Sequence, residues 1–243
     1  FWIRVRADES LAAGFYDGAV TVTATSAGSG TSSLAIPFTA RVNGFTLPKT
    51  AVIPTAISFH PPIIHTYDEA SEARKKDPKD ITNVWKPHAD AWTDFAADHL
   101  ISIDYLYPAV RPRFDQLMRL KKQGRLGQFN LGYWRHSDSD GVTGSDKWKK
   151  SWFPKRDEDY AKAKDLGLLG HAYLYGADEI PKKDFPKVAI AATCFKERYP
   201  GVPLLTTAYD PDFGTNRSPL GAIDAFCPLT EMYDSVKAEA ARR

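Results

Sequence analysis

From about residue 49 onward, short β-rich runs alternate with helical patterns, and this alternation confines the fold to a parallel sheet with helices as connectors. Parallel neighbours cannot be joined by a tight turn; each pair needs a crossover, and such crossovers are right-handed. Residues 57–60 open the series. A helix over residues 90–100 sets Trp92, Phe95, Ala96 and His99 on one face at the i, i+3, i+4, i+7 spacing, and a strand over residues 101–107 stops at Pro108. Residues 114–122 form the next helix, with Phe114, Leu117 and Met118 inward and Gly124 as its stop. Residues 128–134 are a strand and 157–164 a helix; residues 172–175 are a strand, and a helix starts near Asp184 with Pro186 in its first turn. Residues 203–210 and 223–227 supply the fifth and sixth strands. Six β/α units in residues 49–243 point to a (β/α)8-type barrel that is incomplete, since a full barrel has eight strands in about 250 residues. Three readings follow: a fragment, an open barrel whose edges a homo-oligomer would cover, or a smaller α/β fold.

Residues 1–48 differ in kind. Phe1, Ile3 and Val5 alternate with Trp2, Arg4 and Arg6; residues 14–18 read as a turn; residues 19–24 and 34–42 are β-rich, with a Ser/Gly-rich tip at 26–33 between them. Three strands make a partial antiparallel β-sandwich segment, about half of the roughly seven strands that enclose a core. Residues 44–48 form the hinge, so the expected domains are 1–48 and 49–243.

The sharpest chemical signal is His171 to Ile180, HAYLYGADEI. Ala172, Tyr173, Leu174 and Tyr175 suit a buried strand, Gly176 loosens the backbone, and two adjacent carboxylates follow, Asp178 and Glu179. Strands of parallel α/β sheets turn their carboxyl ends toward the ligand, so acids placed there lie in a pocket mouth. The bland alternative is that the pair caps the helix beginning near Asp184. Asp68-Glu69 and Asp157-Glu158 are comparison pairs at predicted helix starts, where the helix dipole favours acids.

The order GFTLP (Gly44 to Pro48), alternating strands and helices, AYLYGADE (Ala172 to Glu179) and IDAFCPLTEMYD (Ile223 to Asp234) resembles glycoside hydrolase family 123. The resemblance implies a β-sandwich followed by a (β/α)8-type barrel, a β-N-acetylgalactosaminidase activity without cofactor, a bacterial secreted or periplasmic setting, and a chain truncated at both ends. It implies substrate-assisted retaining hydrolysis, in which the 2-acetamido oxygen attacks the anomeric carbon. Glu179 would be the acid/base, needing a raised pKa, and Asp178 would stay ionised and orient the acetamide. The partner is then a glycan or glycolipid ending in N-acetylgalactosamine. Substrate-binding candidates at strand ends are Tyr105, Trp134, His136, Tyr175, Tyr209, Glu231 and Tyr233, with Tyr107 and Asp210 beside them; Trp134 and Tyr233 are the expected stacking platforms. Two other readings stay open: a carbohydrate-binding fragment without turnover, and a metal-dependent amide deacetylase that would need His136, Asp138 or His65 to converge on one ion.

Charge excludes little beyond nucleic acid. The net charge is +2, and the basic clusters at 74–76 and 147–150 are short solvated faces. No apolar run is long enough to span a bilayer. Cys194 and Cys227 read as buried free thiols, with a bridge between them as the alternative. The segment from His136 to Gly141 lacks the ligand spacing of an EF-hand, and His60 with His65 makes no zinc set, so no metal is expected.

Overall fold

The computed structural model describes residues 3, 5–26, 28, 30–55, 57–59, 81–104, 106–107, 111–215 and 217–242, the side chains of 81–89 excepted. The chain separates into two compact units, Phe1–Pro48 and Lys49–Arg243.

The first unit is a hairpin of two long antiparallel strands, β1 (Gly14–Ser26) and β2 (Gly30–Val42), paired from Gly14 with Val42 to Ser26 with Gly30. Partners on opposite strands share a face, so Val20, Val22, Leu34 and Ile36 make one side apolar while Thr21, Thr23, Thr31 and Ser33 make the other polar. Two expectations change here. Residues 3 and 5 lie outside any strand, and residues 14–18 belong to β1 instead of a turn. Gly18 lets the Phe38 ring of the opposite strand lie over the backbone; a Cβ there would lie 2.7 Å from Phe38 Cζ and push the ring aside.

The second unit is mixed α/β. In order it contains β3 (Ile57–Ser58), α1 (Ile81–Asp98), β4 (Ile103–Asp104), α2 (Phe114–Lys122), β5 (Phe129–Trp134), α3 (Asp146–Asp165), β6 (Ala172–Gly176), α4 (Phe185–Arg198), β7 (Leu204–Thr206), β8 (Ala225–Phe226) and α5 (Ser235–Ala241). All strand pairs are parallel: β3 with β4, and β5-β6-β7-β8 as one four-stranded sheet. Between β4 and β5 the connection runs through side chains, with Gln128 N–H donating to Ser102 Oγ at 3.1 Å and Asn130 N–H to Asp104 Oδ2. Six strands thus follow one another in chain order, the winding of a (β/α) barrel, whereas a complete ring is not shown among the described residues. Helix α3 starts at Asp146, well before the expected residue 157, because Ser145 caps it by accepting from Trp148 N–H at 3.3 Å and Pro154 is accommodated in its interior.

The sheet has two different faces. Toward α3 and α4 it buries Phe129, Leu131, Trp134, Ala172, Leu174 and Leu204 against Trp148, Phe153, Val188, Ala191, Ala192 and Phe195. Val188, Ala191, Ala192 and Phe195 recur at i, i+3, i+4 and i+7, the stripe that seats α4 on the strands. The other face carries Leu106, Tyr173 and Tyr175, with Tyr133 and Leu205 packed on them. In β6 the alternation is strict: 172, 174 and 176 face the helices, 173 and 175 the opposite side. In β5 a bulge at Leu131, between the pairs Asn130–Tyr173 and Gly132–Leu174, reverses the parity, so Tyr133 joins the tyrosine face and Trp134 the helix face. Gly132 makes this possible: the Arg156 guanidinium, donating to Leu131 O at 2.6 Å, fills the place its Cβ would take.

The thiol expectation is corrected in part. Both cysteines are free, Cys194 half-buried and Cys227 exposed, because β8 ends one residue before Cys227.

Candidate active site

At the carboxyl end of β6 the chain makes an unusual turn. Ala177 and Glu179 both adopt left-handed backbone, with φ of 51° and 50°, a conformation costing non-glycine residues about 1–3 kcal/mol each. Flipping the backbone on either side of Asp178 lets successive residues leave the strict strand alternation, so two adjacent acids need not point to opposite faces of the sheet.

What holds the turn is the segment at the end of β7. Thr206 Oγ1 donates to Ala177 O at 2.8 Å, Thr207 Oγ1 donates to Asp178 Oδ1 at 2.8 Å and accepts from Glu179 N–H at 3.0 Å, and Tyr209 N–H donates to Ile180 O at 3.0 Å. At about 1 kcal/mol net for each hydrogen bond, four such bonds offset a cost of the size just given. The clasp and the strain are therefore comparable in size, and the turn depends on the clasp.

Around the acids stand four tyrosines. Tyr175 OH donates to Asp178 Oδ1 and lies 3.1 Å from Thr207 Oγ1, so two hydroxyls converge on one carboxylate oxygen. Tyr107 stacks edge-on to Tyr175 at 6.0 Å, and its phenol is pushed up by burial and then by the Asp178 carboxylate. Tyr133 meets Tyr175 at 5.8 Å, and burial pushes its phenol up. Tyr209 stands near Glu179, and its phenol is raised first by desolvation and then by the Glu179, Asp178 and Glu231 charges. Deep below them, Asn130 Oδ1 accepts from Gly132 N–H at 3.0 Å and Tyr175 N–H at 3.2 Å, tying the β5 bulge to the strand that carries the acids. The arrangement can present a proton donor, a held carboxylate and several hydroxyls to a polar ligand.

The expected site residues are dispersed unequally. Asp178, Glu179, Tyr175 and Tyr209 come together, and Glu231 reaches Tyr209 electrostatically. Tyr175 is 2% exposed, so its hydroxyl acts on Asp178 from within the fold. Tyr105 lies outside the described residues, as do His60, His65 and the pair Asp68-Glu69. Trp134 is corrected: it is 0% exposed on the helix face, Nε1 donating to Leu205 O at 3.2 Å and the ring against Phe195, because the bulge turns it away from the acids. Tyr233 is exposed and packs loosely on Phe213 at 6.4 Å. His136 sits near Asp184 and Lys187, its pKa lowered first by burial, while Asp138 beside it is bonded to Lys187 and Thr143, which hold its carboxyl well below the usual range. Asp210 is a loop staple, accepting from Asp212 N–H, Gly214 N–H and Ser218 Oγ. Asp157 and Glu158 are spent on ion pairs with Arg198 and Arg111 at 2.8 and 2.9 Å. A groove of about 510 Å³ between α3 and α4 includes Asp157 and Arg198 but none of the acids or tyrosines of the turn. Among the described residues no group of His, Cys, Asp and Glu is placed to hold a metal ion, and no helix is long and apolar enough to cross a membrane.

Sequence reasoning missed Tyr133 and Thr207. For Tyr133 the signal was Gly132, the one residue in the strand that a bulge would require; for Thr207 it was a pair of threonines ending a buried strand.

No family model and no curated protein matches the sequence. Among solved structures, the chain is similar to a family 123 glycoside hydrolase from Clostridium perfringens, studied for glycolipid glycan hydrolysis, with a TM-score of 0.56 and 12% identity. The likeness is one of fold. The alignment covers 96% of this chain and 49% of the other, so the chain spans about half the length of that structure.

Proposed function

We propose that this chain is a glycoside hydrolase that removes terminal β-linked N-acetylgalactosamine from glycans or glycolipids by substrate-assisted, retaining catalysis. The observation that carries the reading is the acid turn: adjacent carboxylates at the mouth of a buried parallel strand, the first held by two hydroxyls and the second with its backbone N–H held by one of them. The fold likeness to a family 123 glycoside hydrolase supports it.

In this reading Asp178 accepts the N–H of the substrate's 2-acetamido group and turns its carbonyl oxygen onto the anomeric carbon. Two hydroxyls already donate to Asp178 Oδ1, which fixes the direction of the carboxyl group. As the carbonyl oxygen bonds to the anomeric carbon, the glycosidic bond breaks and Glu179 gives its proton to the departing oxygen. Glu179 then takes a proton from water, which attacks the anomeric carbon and reopens the ring with net retention. Tyr209, whose phenol feels the Glu179 charge, stands beside that carboxyl group.

The test is release of the chromophore from an aryl β-N-acetylgalactosaminide, with the matching glucosaminide alongside. Turnover of the galactosaminide is expected, with a loss of roughly 10²–10⁴-fold in Glu179→Gln, the range of a general acid/base. Sugar binding without turnover in the wild-type chain would overturn the hydrolase reading in favour of a lectin-like role.

A further inference from the structure

The geometry points to Thr207 as the positioning residue that sets Asp178 and Glu179 relative to each other, an inference that takes the two acids as the reacting pair of the proposed hydrolase. One hydroxyl touches both. It donates its single hydrogen to the Asp178 carboxylate at 2.8 Å and uses its oxygen to accept the Glu179 backbone N–H at 3.0 Å. Tyr175 OH, 3.1 Å away, donates to the same Asp178 oxygen, so its one hydrogen is spent there and the two hydroxyls converge on that carboxylate.

The neighbours of Thr207 show why this position matters more than an ordinary side-chain bond. Thr206 holds the carbonyl of Ala177, and the backbone of Tyr209 holds that of Ile180. Those contacts fix the two ends of the turn. The interior of the turn, where Glu179 stands at a φ of 50°, is held by the Thr207 hydroxyl. Removing that oxygen frees the Glu179 amide and one donor of Asp178 while leaving the ends tethered. The two carboxyl groups then lose their mutual register, and the reaction depends on that register because proton donor and acetamide acceptor must meet one substrate at once.

Thr207→Val keeps the volume and deletes the hydroxyl; Thr207→Ser keeps the hydroxyl and deletes the methyl. A packing role would make Ser harmful and Val benign, whereas a positioning role reverses the order. The first readout is amide hydrogen exchange at Glu179, which needs no turnover. Exchange in Thr207→Val is expected to quicken by roughly tenfold or more, with the Tyr175 amide, bonded to Asn130, unchanged. Thr207→Ser should stay near wild type. The second readout is steady-state hydrolysis of the aryl N-acetylgalactosaminide: kcat in Thr207→Val should fall by roughly 10–100-fold with KM within about twofold, and Thr207→Ser should recover it. Unchanged Glu179 exchange in Thr207→Val, or Ser as impaired as Val, overturns the assignment. A wild-type chain that hydrolyses no aryl N-acetylhexosaminide, yet shows the expected exchange pattern, overturns the hydrolase reading and leaves Thr207 confirmed as the clasp of the turn.

Discussion

Among the residues, Tyr209 reports on its acidic neighbours. Desolvation and the Glu179 charge both disfavour its phenolate, so its ionisation is raised above the ordinary tyrosine range. Replacing Glu179 by Gln removes a negative charge, which makes the phenolate easier to form, and the pKa should move back down. An ultraviolet titration near 295 nm on the wild type and on Glu179→Gln, with Tyr209→Phe to assign the transition, checks this; an unmoved transition would separate Tyr209 from Glu179. The acid pair stood out in sequence because an apolar run ends in Asp178-Glu179, and the structure sets Asp178 beside the Tyr175 and Thr207 hydroxyls. Trp134 was not read correctly, since its side depends on the residue count between it and Phe129, and a bulge alters that count without changing composition. Thr207 was passed over for a different reason: hydroxyl pairs are common in strands, and the spatial neighbour 29 positions earlier gives this one its meaning.

At the scale of elements, the bulge in β5 is the feature with the widest effect. It turns Tyr133 toward the acids and Trp134 into the helix-side core, and Arg156 braces it from α3. Arg156 is itself buried and paired with Asp159 at 3.3 Å, which is in turn bonded by Arg111. Gly132→Ala would drive a methyl group into the guanidinium. A destabilisation of about 1–3 kcal/mol is expected from such overpacking, seen as a lower urea midpoint with unchanged slope. If the strand instead straightened to relieve the clash, Trp134 would leave the core and its emission would shift to the red. The helices were legible to different degrees. α2 is bounded by residues 114 and 122 as its periodicity requires, while α3 runs a further 11 residues toward its N-terminus because Pro154 reads as a break yet sits inside a helix whose Ser145 cap lies upstream.

For the whole molecule, the sequence announced the winding better than the extent of each strand. The series of parallel strands in chain order follows from β-α alternation alone; the short lengths of β3, β4 and β8 do not, because pairing partners decide where a ladder stops. The cysteines offer a check on the outer layers. Cys227 is exposed just beyond β8, whereas burial pushes the half-buried Cys194 thiol up, so at mildly alkaline pH less of it is thiolate. Thiol titration with an aromatic disulfide should show one fast and one slow phase, and Cys227→Ser should delete the fast one. The clasp from β7 onto the turn after β6 has a further consequence, for descent and recombination. Each β/α unit of such a fold can be exchanged among related chains as a cassette, yet here the acids come with one unit and the hydroxyls that shape them with the next. A crossover within α4 would unite acids from one parent with a clasp from another, so the smallest heritable piece of this site is two consecutive units.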